Sequence, residues 1–170
     1  MNSRFWSFFL LCLLMTVPAL AGRIYLEPDH PRYVNGRYGF SLTLPPGQWE
    51  VMEAENGDGI TASDDETAAE RVEVRVYGTR GYSVLGQSFD DALAEALQKF
   101  GAVEKKLVDA QAGFFTIRGR DGQNNLFYFK CFFGKEEANI ATIACPRQWQ
   151  ASFDVLIEAM EKTFRPGFRR

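Results

Sequence analysis

The chain has 170 residues, 46% of them hydrophobic and 24% charged, with a formal net charge of −3. Acidic and basic residues are interspersed, so there is no concentrated basic face of the kind phosphate binding demands, and no nucleic-acid partner is expected. Fifteen phenylalanines against a single histidine point to core packing rather than to acid–base or metal chemistry.

Met1 to Ala21 reads as a secretory signal peptide. Arg4 supplies the positive charge, Phe5 to Val17 is an almost unbroken apolar run, Pro18 ends it, and Ala19 and Ala21 are the small residues before a cleavage point. The run is 13 residues long, whereas a spanning helix needs about 20. Cys12 lies inside the run rather than after it, which does not fit a lipid-modified cysteine. Cleavage removes one basic and no acidic residue, leaving 18 basic and 22 acidic side chains on 149 residues. That length suits one domain, and no later stretch is apolar enough to span a bilayer. The expected location is periplasmic or secreted.

Two cysteines remain after cleavage, Cys131 and Cys145. In an oxidising compartment such a pair is a disulfide candidate, and both stand in strand-like segments on either side of a turn.

In chain order, Gly22 to Pro31 is an irregular lead-in, with Pro28 and Pro31 close together. Arg32 to Val34, Asn35-Gly36 and Tyr38 to Leu44 read as a hairpin with a two-residue type I′ turn. Trp49 to Glu53 and Ile60 to Ala62 are strands around the turn Glu55 to Gly59. Ser63 to Glu70 is acidic and loop-like, and Val72, Val74 and Val76 alternate with polar residues in a further strand. Ser88 with Asp91 resembles a capping box. Phe89, Leu93, Ala96, Leu97 and Phe100 then make one helical stripe that stops at Gly101. Four strands follow, Val103 to Val108, Gly113 to Arg120, Leu126 to Gly134 and Ile140 to Cys145, joined by short breaks that make neighbours antiparallel. Pro146 to Phe164 returns to helical spacing. The fold class expected is α+β, an antiparallel sheet of six or seven strands covered by two amphipathic helices. The domain occupies residues 32–166.

No catalytic, cofactor-binding or metal-binding set emerges. His30, the lone histidine, lies in the lead-in where nothing would hold it as a catalytic base. Asn56 to Gly59 with the acids beyond lacks the ligand spacing of a calcium loop and reads as a turn. Gly78, Gly81 and Gly86 do not have dinucleotide-loop spacing. The segment around them, with Tyr77, Tyr82, Val84 and Leu85, is the candidate contact loop.

Several segments together resemble a known family. Tyr38-Gly39-Phe40-Ser41-Leu42-Thr43-Leu44-Pro45 leads to Gly47-Gln48-Trp49 and Asn56-Gly57-Asp58-Gly59; later come Ser88-Phe89-Asp90-Asp91, Phe153-Asp154 and Thr163-Phe164-Arg165-Pro166. The set resembles the PsbP/Mog-like superfamily, including bacterial DcrB-like periplasmic proteins. The resemblance implies an antiparallel sheet in an α/β/α sandwich and a non-enzymatic accessory role, with no catalytic residues to carry over. The function expected is an exported accessory or binding protein of the bacterial cell envelope that engages another envelope protein. An envelope hydrolase with paired carboxylates, or a small-molecule or lipid carrier, is the alternative.

Overall fold

Period-two alternation of apolar and polar residues builds most of the structure. A computed structural model describes residues 23–24, 31–64, 72–80 and 88–167. The signal segment, His30, Tyr82, Val84 and Leu85 lie outside the described residues.

Strand β1 (Arg23–Ile24) is followed by the short pair β2 (Arg32–Val34) and β3 (Ser41–Thr43). Then come β4 (Trp49–Glu53), β5 (Gly59–Asp64) and β6 (Glu73–Arg80). Helix α1 (Phe89–Lys99) precedes the meander β7 (Ala102–Asp109), β8 (Phe114–Arg120), β9 (Leu126–Phe133) and β10 (Glu137–Cys145). A single 3₁₀ turn, Arg147–Trp149, leads into α2 (Gln150–Thr163). Seven strands of five to nine residues, with β1 at one edge, form one antiparallel sheet in the order β1-β4-β5-β6-β10-β9-β8-β7. The pairing of β10 with β6 joins the two consecutive runs into this sheet.

Both faces of the sheet are apolar, and each is covered. On one side lie Val72, Val74, Val76, Tyr128, Phe132, Ile143 and Cys145, under Phe153, Leu156 and Met160 of α2. On the other side lie Phe115, Ile117, Phe127, Phe129, Cys131 and Ile140, under Ala92 and Ala96 of α1. This is the α/β/α sandwich expected, and the near-continuous burial of β9 follows from it. Helix α1 starts where its cap residue stands: Ser88 Oγ accepts from Asp91 N at 3.1 Å and donates to the Asp91 carboxylate at 2.8 Å.

Three features of the fold correct or add to the expectations. The pair β2–β3 is not part of the main sheet but a separate ribbon, lying beside α2. Thr43 N donates to Thr163 Oγ1, which donates back to Thr43 O, and Ser41 bridges Arg165. The ribbon also does not close through a two-residue Asn35-Gly36 turn. Its loop runs from Asn35 to Phe40, with Asn35 N donating to Phe40 O at 2.9 Å, and the positive φ falls on Gly39. The Asn35 side chain accounts for the difference. Its Oδ1 accepts from the amides of Arg37 and Tyr38, while Nδ2 donates to Tyr33 Oη and to Gly57 O across the β4–β5 turn. Thirdly, part of the lead-in is a strand, because Arg23 and Ile24 pair with Met52 and Val51.

The Cys131–Cys145 disulfide is not formed; both cysteines are free and buried. The β9–β10 turn is tight, with Gly134 N donating to Glu137 O at 2.8 Å, and β10 begins at Glu137 rather than Ile140. That register sets Cys131 opposite Ile140 and Cys145 opposite Leu126. The two sulfurs stand on opposite faces of the sheet, five register positions or roughly 17 Å apart along the strand. No disulfide spans that. A folded chain begun at Gly22 is therefore expected to show two free thiols by non-reducing mass spectrometry, both unreactive to thiol reagents until denaturant is added. A mass lower by two hydrogens would overturn this register.

Candidate functional site

The described residues form a groove of about 560 Å³ on the α2 side of the sheet. It runs between the loop after β3 and the first turns of α2, and is partly open to solvent. Pro45, Trp49, Val72, Val155 and Leu156 make its apolar walls, and Asp64 is the one charged residue among the described lining residues.

Each wall is held from the sequence upward. Pro45 and Pro46 stop β3, and the chain turns into β4 at Trp49. The Trp49 indole Nε1 donates to Pro45 O at 3.0 Å, which fixes the ring across the loop. Trp49 is the register partner of Asp64 at the end of the β4–β5 ladder. Asp64 Oδ1 accepts from Val72 N at 3.0 Å, so the carboxylate ties the end of β5 to the start of β6. On α2, Phe153, Leu156 and Met160 point into the core, whereas Val155 is left 54% exposed at the lip of the groove.

Beneath the groove, Cys145 Sγ donates to Pro146 O and Trp149 O at 3.4 and 3.5 Å. Burial first, and then the Asp64 charge, push its thiol up to about 11. Burial alone pushes Cys131 up to about 12. Both thiols stay protonated near neutral pH, a state that disfavours nucleophilic chemistry. No group of three or more His, Cys, Asp or Glu among the described residues could hold a metal ion.

A second polar cluster lies on the opposite flank of α2. Lys130 is a sheet residue whose side chain is only 5% exposed. Its Nζ meets Glu161 Oε2 at 2.5 Å and lies over the rings of Phe114 and Phe132 at 5.3 and 5.2 Å. Tyr128 Oη donates to the other Glu161 oxygen. Burial and then the Glu161 carboxylate raise the Tyr128 phenol well above the usual tyrosine range. Arg118 and Asp154, 3.6 Å apart, extend the charged seam along α2. Every member is engaged within the fold, so the cluster reads as a helix-to-sheet clamp.

Of the sequence-expected contact residues, only Tyr77 is described. It is half-buried in the cluster under α1, on the face of the sheet away from the groove. The groove residues were missed because Trp49 and Asp64 are 15 positions apart and read as separate strand and loop residues. Val155, an apolar residue off the core stripe of α2, was the available signal.

No family model matches the chain, and no curated protein matches it. Among solved structures it is similar to cyanobacterial PsbP (CyanoP) from Synechocystis sp. PCC 6803, with a TM-score of 0.53 over 81% of this chain and 92% of the other. The fold is PsbP-like. At 13% identity the likeness shows the fold alone. The PsbP-like sheet, with α1 on one face and α2 plus the β2–β3 ribbon on the other, carries the groove where ribbon and α2 part.

Proposed function

We propose that the chain is an exported, non-enzymatic accessory protein of the bacterial cell envelope, of the DcrB-like kind, which engages another envelope protein. The observation that carries this reading is the PsbP-like fold, which extends over 92% of the cyanobacterial PsbP chain. The signal-like pattern of residues 1–21 supports export, and the open groove, with apolar walls and an exposed Val155, supports contact with a partner. A partly open groove suits a partner's surface better than a carried lipid, which needs enclosure.

Two measurements test the reading. Residues 1–31 fused to a reporter enzyme active only outside the cytoplasm should give an active product cut after Ala21; an inactive, uncut fusion overturns export. Photo-crosslinking residues placed singly at the exposed apolar positions Val34, Met52, Leu107, Val108 and Val155 should yield a discrete adduct with an envelope protein from at least one site. Adducts from none overturn the partner reading.

A further inference from the structure

We propose that the groove takes an extended peptide segment of the envelope partner in which a basic side chain stands beside a bulky apolar one. The inference rests on the accessory reading above and names the chemistry of the partner.

Charge decides the first half. Asp64 is the single charged residue among the described residues of the lining, and it takes part in none of the ion pairs among the described residues. One of its oxygens accepts from Val72 N, and no hydrogen bond from a described residue occupies the second. A carboxylate among apolar walls becomes costly as a partner covers it, unless that partner brings a cation and hydrogen-bond donors. A guanidinium or ammonium group meets that need, while an acidic segment or the phosphate of an anionic lipid is repelled.

Shape decides the second half. Val155 stands half-exposed at the lip, next to Leu156, Val72 and Pro45 in the walls, and a bulky apolar side chain would cover it. The Trp49 ring is already held by its bond to Pro45 O, so it offers a fixed face for the stem of a basic side chain at small entropic cost. The volume of about 560 Å³ lies within the range of about 300–1,000 Å³ typical of ligand pockets. Its open side leaves room for a main chain to enter and leave, which an enclosed amine site would not.

The test is selection from a displayed library of random heptapeptides against the chain begun at Gly22. Enriched peptides should carry Arg or Lys adjacent to Leu, Ile, Phe or Trp. Their binding should fall at least about tenfold with Asp64→Asn, as expected for loss of a charge-assisted bond. That variant keeps the Oδ1 acceptor for Val72 N, and its fold is checked by thermal unfolding. Citrulline in place of the selected arginine must lose the same factor, and it leaves the protein unchanged. No enrichment, enriched peptides without a basic residue, or equal binding to Asp64→Asn each overturns the proposal. So does free arginine amide binding as tightly as the peptides. In cells, a crosslinker at Val155 should trap the partner and lose it with Asp64→Asn. Adducts only from Val34, Met52, Leu107 or Val108 would sink the groove and leave the accessory reading standing.

Discussion

Phe164→Ala is expected to be among the most destabilising single substitutions, at about 3–5 kcal/mol, the range for removing a buried phenylalanine. Phe164 is fully buried at the C-cap of α2. Its ring meets Phe40 of the ribbon edge-on, with centroids 6.1 Å apart, and Phe132 of β9 at 5.4 Å. The next residue, Arg165, exchanges backbone hydrogen bonds with Ser41 in both directions. One side chain thus joins ribbon, helix and sheet, and the walls of the groove are set by how those three meet. Against a whole-domain stability of about 5–15 kcal/mol, the loss is a large fraction. Denaturant unfolding measures it, with Val108→Ala on the exposed edge strand as a control expected within about 0.5 kcal/mol of the parent. Phe40→Ala should be non-additive with Phe164→Ala, because each empties the same contact. A loss under about 1 kcal/mol would show that this junction does not hold the ribbon to the sheet.

Glu161→Ala is the second large effect. It leaves Lys130 buried without a carboxylate and removes the acceptor for Tyr128 Oη. Removing one partner of a fully buried pair costs about 3–5 kcal/mol; Glu161 is 38% exposed, so water screens part of this and about 2–3 kcal/mol is expected. Adding Lys130→Met to Glu161→Ala should recover much of the loss, since the methionine would fill the space between Phe114 and Phe132 without a charge. If Glu161→Ala alone is nearly neutral, the ammonium is held by the aromatic faces and solvent rather than by the carboxylate. The Asp64→Asn variant, which leaves this clamp untouched, should retain the parent's stability while losing peptide binding.

Much of the local structure was legible in the residues. The stripe Phe89, Leu93, Ala96, Leu97 with the Ser88 cap determined α1 to within a residue or two, and Trp49–Glu53 is a strand with the expected ends. The short polar breaks after Asp109, Arg120 and Phe133 determined that β7 to β10 pair in sequence, since such connections reach only an antiparallel neighbour. Helix, strand and meander follow from periods and turn chemistry that act over a few residues.

The site is different, because its members are placed by pairings the local pattern does not contain. Tertiary structure decided that β10 lies against β6, that the ribbon leaves the sheet for α2, and that the β9–β10 turn is short enough to put Cys131 and Cys145 on opposite faces. A small shift of register or turn moves a side chain through the sheet, because alternation has a period of two. What the sequence by itself determined was which residues are apolar, the type and order of the main elements, and the signal-like pattern of residues 1–21. Only the folded chain determined that Trp49, Asp64 and Val155 share one groove, because that needs the β4–β5 ladder, the Val72–Asp64 bond and the seating of α2 all at once.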